Sequence, residues 1–173
     1  MANRQRQRRC LALIAAIAGG LAGSAGPLSA GSAVHRAEAV TDQSARCPEA
    51  AAGALAAFGR YADAFNARDM EAFEATYHHP HYRLAQGGVR VDERAGARSG
   101  EALFGGLEER WGWDRTEFED VVVVQCDETK VHFVHTAVRY RADGTEIHRF
   151  PSFYIFTLED GEWGLKMRSS FAP

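Results

Sequence analysis

Three histidines crowd one short stretch, Thr76-Tyr-His-His-Pro-His-Tyr-Arg-Leu-Ala-Gln-Gly-Gly88. On an extended segment His79 and His81 project to the same face. A neutral imidazole there is suited to act as a general base near neutral pH. Joined by His132, His135 or His148 from other strands, the pair could instead bind a metal. No carboxylate stands at a helpful spacing and no HExxH-type motif occurs, so no metal is assigned. Ordinary structural or ligand hydrogen bonding is the third reading. Arginine is the second feature. Arg83 shares a strand parity with His81, Arg139 with His135, and Arg168 with Ser170. If those parities face inward, the interior carries guanidinium forks, which bind a carboxylate or phosphate bidentately. The competing reading puts these arginines at a solvated rim, paired with Glu117, Asp120 or Glu146.

Elements must hold these groups in place. Pro48 suits the first turn of a helix, where its missing N–H costs little. Ala51, Leu55, Phe58, Ala62 and Phe65 recur at spacings of four and three, one apolar stripe. Tyr61 lies beside that stripe, and its hydroxyl needs a ligand, Asp63 or a backbone carbonyl as partner. Asp69 is placed to cap a second helix in which Met70, Phe73 and Tyr77 keep helical spacing until Pro80. His81 to Ala85 and Val89 to Val91 read as a hairpin around Gln86-Gly-Gly88. Ser99 begins a third helix carrying Leu103, Phe104, Leu107 and Trp111, which Gly112 closes. Trp111 and Trp113 flank the end of this helix, where such residues most often pack in the core. Strands follow over residues 116–126, 130–140, 145–158 and 163–171, with Asp143-Gly144 and Asp160-Gly161 at turns. Trp163 alternates with Leu165 and Met167 and reads as core.

This order resembles the nuclear transport factor 2-like superfamily, which includes the SnoaL-like domains. The pieces that carry the resemblance are Tyr61-Ala-Asp-Ala-Phe-Asn-Ala-Arg-Asp69, the Trp163-Gly-Leu strand after Asp160-Gly161, and the helix order, over about residues 49–172. The segments His79-Pro-His-Tyr-Arg83 and Arg168-Ser-Ser-Phe-Ala-Pro173 are similar to a bacterial subgroup without an assigned activity. The resemblance implies an α+β fold: a cone-shaped, curved antiparallel sheet wrapped around three helices, with a pocket inside. Ketosteroid isomerase, in the same superfamily, needs a helix tyrosine and a carboxylate base on the first strand. Tyr61 matches the tyrosine, but Arg83-Leu-Ala85 offers no carboxylate, so that proton transfer lacks an acceptor. Dehydratase chemistry could run on a histidine.

The expected function is therefore binding of a small, partly apolar and possibly acidic molecule. Arg83, Trp113, His135, Arg139 and Arg168 are its expected contacts. The alternatives are a dehydratase, isomerase or cyclase using His79 or His81 as base with Tyr61 or Arg83 polarising an oxygen, and a protein-interaction module with a closed core. No cofactor is expected. Gly87-Gly88 is a turn rather than a phosphate cradle, and no serine elbow or zinc-type cysteine spacing occurs.

Composition bounds the rest. The 173 residues are 46% hydrophobic and 25% charged with net charge −3, which disfavours nucleic acid as a partner. No apolar run is long enough for a stable membrane span. Arg4, Arg6, Arg8 and Arg9 precede the uncharged run Leu11 to Ala22 and then small residues. That layout predicts a cleaved export signal over residues 1–39, a linker over 40–48 and the folded domain over 49–173, in the periplasm or outside the cell. A mis-assigned start would instead leave a cytoplasmic protein. Cys47 and Cys126 then form a disulfide or remain two thiols. The strands at Val121 to Val124, Ile147 with Phe150, and Phe153 to Phe156 are apolar on both parities. Both sheet faces therefore need cover, which predicts a homodimer through the outer face.

Overall fold

The computed structural model describes residues 39–85 and 87–173, and the expected export signal lies outside them. The folded unit contains three helices, α1 (Pro48–Asn66), α2 (Met70–Ala75) and α3 (Gly106–Trp111). It also contains six strands: β1 (Tyr77–Ala85), β2 (Gly88–Asp92), β3 (Arg115–Cys126), β4 (Lys130–Tyr140), β5 (Glu146–Glu159) and β6 (Glu162–Ser170). The strands form one curved, unclosed sheet in the order β2-β1-β6-β5-β4-β3. Every pairing is antiparallel except β1 with β6, which run parallel. The α+β cone expected from the sequence is thus the observed fold.

Helix α1 starts with Pro48 at its first turn. Its buried residues are Ala50, Ala51, Ala54, Ala57, Phe58, Tyr61, Ala64 and Phe65. The stripe expected through Leu55 is a correction: Leu55 is exposed, and alanines form the seam instead. Small side chains let the helix settle close to the sheet. At Gly53 the approach is closest, because a Cβ there would lie 2.5 Å from Trp163 Nε1. Gly53→Ala is therefore expected to destabilise the fold by about 1–2 kcal/mol despite alanine's better helix propensity. Urea unfolding checks this, and a gain in stability would mean the indole moves aside freely.

Asp69 caps α2, accepting from the Ala72 N–H at 2.9 Å. The helix then ends at Ala75 and Tyr77 opens β1, so the helical spacing read through Tyr77 does not persist. Thr76 turns the chain with its hydroxyl on the Phe73 carbonyl, and Leu165 N–H takes the Thr76 carbonyl into the sheet. The motif Asn-Ala-Arg-Asp is structural. Asn66 donates to the Thr116 carbonyl at 2.9 Å and accepts from the Thr116 N–H at 2.8 Å, which fastens the end of α1 to β3. A wide turn over Glu101–Gly105, begun by Ser99 accepting from Ala102 N–H, leads into α3. Gly112 ends α3 at φ 67°, the left-handed region that favours glycine.

The segment read as a linker is tied to the sheet. Gln43 N–H donates to the Val123 carbonyl, and Cys47 is disulfide-bonded to Cys126. The core between helices and sheet is aromatic, centred on Phe58, Tyr61, Phe65, Phe73, Phe104, Trp113, Phe133, Tyr154 and Phe156.

Candidate functional site

The concave face of the sheet turns from apolar to cationic along its length. On β4 the inward residues run Val131, Phe133, His135, Ala137, Arg139. On β5 they run Phe156, Tyr154, Ser152, Phe150. Arg83 of β1 stands directly opposite Arg168 of β6. Like charges at such positions repel. Arg83, Arg139, Arg168, Tyr61, Tyr154, Phe118, Phe150, Ser170 and Ala172 surround a cavity of about 30 Å³. That is room for a water or two, or the head of a small acid. A larger cleft of about 310 Å³ beside Cys126 and Lys130 is an open surface feature away from these groups.

No carboxylate lines the inner cavity. Among the described residues, Arg83, Arg139 and Arg168 make no ion pair. Arg168 is 7% exposed and donates to the Tyr61 hydroxyl at 2.7 Å, while its Nε has no partner. Tyr61 and Tyr154 hydroxyls face each other at 3.3 Å. Arg139 leaves both Nε and Nη1 unpartnered, with its guanidinium 5.0 Å from the Phe150 ring. Burial pushes Arg139 down to about 10. Burial, then the charges of Arg168 and Arg90, lowers Arg83 as well. Burial raises Tyr154 well above its ordinary value, so it remains a phenol and a hydrogen-bond donor. A buried charge without a counter-charge is costly; Arg139 and Arg168 bear that cost, and half-buried Arg83 adds a third positive charge beside them. The cavity is thus walled by hydrogen-bond donors with no carboxylate among them, a lining that could hold an anion.

The remaining candidates fall elsewhere. His81 is fully buried on β1, its Nδ1 3.1 Å from the Leu165 carbonyl and its ring stacked on Tyr77 at 4.0 Å. Burial and then the Arg168 charge push it down to about 3. His79 places Nδ1 3.0 Å from the Asp92 carbonyl. Neither histidine lines the arginine cavity. His135 packs among Phe58, Phe118 and Tyr154 with both ring nitrogens unpartnered, and burial pushes it down to about 4. Trp113 is 1% exposed. It stacks on Phe104 and donates Nε1–H to Thr116 Oγ1 at 2.9 Å, so it sits in the core rather than on the cavity wall. Trp111 lies further out, in edge contact with His148. The described residues contain no group of three or more metal-type ligands.

Tyr154 lines the cavity and is not a candidate in the sequence reading. Tyr154 shares the parity of Phe150 and Phe156, which is the one signal that could have drawn it in. Arg98 sits in an irregular loop with no periodicity, and burial followed by the Arg168 and Arg90 charges pushes it down to about 10.

The model of a family described as NTF2-like protein (DUF6841) matches residues 50–167. Solved structures share the fold. An NTF2-like protein with a cystatin-like fold from Novosphingobium aromaticivorans is 15% identical with TM-score 0.57, covering 73% of this chain and 84% of that one. An NTF2-like protein of unknown function from Pseudomonas putida is 13% identical with TM-score 0.57, covering 77% and 90%. A Catenulispora acidiphila protein, solved in complex with S-DNPA, is 16% identical with TM-score 0.53, covering 69% and 90%. At these identities the likeness concerns the fold alone. No curated protein matches the chain.

Proposed function

The chain belongs to the NTF2-like protein family DUF6841, and on that premise we propose that it binds a small, partly apolar acid inside its cone. The acid group is held by Arg83, Arg139 and Arg168 together with the hydroxyls of Tyr61 and Tyr154. The observation that carries this reading is the set of three inward guanidinium groups with no carboxylate among the residues around them. Phe65, Phe118 and Phe150 give the rest of the ligand an apolar wall. The Catenulispora acidiphila protein's complex with S-DNPA supports the idea that this fold accommodates a small molecule.

Binding is favoured over base catalysis. An imidazole held near 3, as His81 is, is a weak proton acceptor at neutral pH. The Cys47–Cys126 bond supports an oxidising, exported setting. The outward face of the sheet carries Val122, Val134, Phe153, Ile155 and Met167 in neighbouring register, with exposed Tyr82 beside them. This apolar surface supports a homodimer.

Thermal unfolding in increasing propionate, at constant ionic strength, tests the proposal. Propionate is expected to raise Tm with the logarithm of its concentration above Kd, uncharged propionamide to leave it unchanged, and Arg168→Met to raise the propionate Kd at least about thirty-fold. Equal shifts from acid and amide, or an unchanged response in Arg168→Met, would sink it.

A further inference from the structure

Nearly every residue around the arginine cavity is fixed in a regular element. All belong to α1 or to a strand except Ala172, which lies two positions beyond the end of β6. Ala172 is 5% exposed and packs with Ala137 and Phe150, against half-buried Phe118, in a small apolar cluster of its own. All four line the cavity. The Phe150 ring also lies 5.0 Å from the Arg139 guanidinium, so the cluster begins where the cationic lining stops. The space left is about 30 Å³, which holds an acid's head and not its hydrocarbon. A wall must give way for anything longer. Packed helices and strands shift only at a cost. Residues 171–173 follow the last strand and are held more lightly. Phe171 is 69% exposed, and its N–H reaches the Pro151 carbonyl at 3.3 Å, beyond the roughly 2.7–3.2 Å of an ordinary N–H···O bond.

We infer that the bound acid carries a short hydrocarbon end that displaces Ala172 and takes its place against Ala137, Phe118 and Phe150. The inference rests on the acid-binding reading above and narrows its ligand class to short-chain monocarboxylic acids. The guanidinium groups take the carboxylate, and the Ala172 methyl holds the apolar subsite until the ligand's own hydrocarbon fills it. Ala172 is then a specificity residue. An acid without a hydrocarbon end leaves it seated and gains nothing from the subsite. An acid with one exchanges one buried apolar group for another, so its affinity reports how firmly the segment sits. A second carboxylate would find no counter-charge among Ala137, Phe118 and Phe150, which disfavours dicarboxylic acids.

Formate and propionate share the carboxylate and differ by the hydrocarbon end, and they are the probes. Each is titrated by calorimetry into the full chain and into a chain ending at Ser170. The full chain labelled with ¹³C-methyl alanine reports the position of Ala172 in parallel. Ending the chain at Ser170 should tighten propionate about four-fold, the worth of one buried methyl, and leave formate unchanged. In the full chain the Ala172 methyl resonance should move to its exposed position with propionate and stay in place with formate. Should the shortened chain fail to fold, the methyl resonance decides alone. An equal change for the two acids, no change for either, or an Ala172 methyl unmoved by propionate would overturn the inference while leaving acid binding in place. Binding of neither acid to either chain would overturn both.

Discussion

Between pH 7.5 and 4.5 the protein is expected to lose about 5 kcal/mol of unfolding free energy through two histidines. Burial, aided by Arg168, pushes His81 down to about 3, and burial pushes His135 down to about 4. In the unfolded chain both return to the ordinary value of about 6.5. Above that pH both states are neutral and nothing is lost. As pH falls below it, the unfolded chain takes up protons that the native interior refuses, and the equilibrium moves toward unfolding. The loss grows until pH reaches 3–4, where the folded imidazoles themselves protonate. Urea unfolding at the two pH values measures it. His135→Phe, placed among Phe58, Phe118 and Tyr154, is expected to recover about half of the loss. Carboxylate titration affects both proteins alike, so the difference isolates one ring. Equal losses in the two proteins would show that His135 does not carry its share.

Replacing Cys47 and Cys126 together by serine is expected to cost about 4 kcal/mol. The bond closes a loop with sequence separation 79, and restricting a loop of that size in the unfolded chain is worth about 4–5 kcal/mol on the chain-entropy account. It joins the entrance of α1 to the far end of β3, where Gln43 N–H adds one backbone bond to Val123. The denaturation midpoint should fall with the double substitution, and dithiothreitol should reproduce the drop in the unsubstituted protein. A loss below about 1 kcal/mol would mean the unfolded chain is already restricted there.

Much of this architecture is legible in local sequence because local chemistry decides it. Pro48, Asp69 and Gly112 mark helix ends, and the structure uses each as the sequence suggests, whereas Ser99 opens the wide turn that carries Leu103 and Phe104, and α3 begins only at Gly106. The hairpin and the long strands likewise follow from turn residues between apolar runs. Leu55 misled because a periodic stripe ranks leucine above alanine, whereas the buried seam of α1 is formed largely by alanines and the helix approaches Trp163 closely at Gly53. Tyr77 misled because helical spacing continues past a turn that Thr76 makes with its own hydroxyl. The inward parity of Arg83, Arg139 and Arg168 was readable as a conditional: strand alternation gives which residues share a face. Which face lies inside depends on pairing that no local pattern contains. Trp113 was ambiguous for the same reason, since a tryptophan near a helix end serves a rim or a core equally well.

The parallel pairing of β1 with β6 has a consequence for how the molecule matures. Arg83 and Arg168 meet only when a strand from the first half of the folded unit docks beside its last strand. Closing so long a loop costs more chain entropy than closing a short one. A chain in which β1 and β6 have not paired therefore does not bring Arg83 and Arg168 together. Any acid that occupies the arginine cavity selects the finished molecule and draws the folding equilibrium forward by mass action. If the acid proposed above binds there, its occupancy favours finished copies over incomplete ones and lowers their exposure to proteolysis.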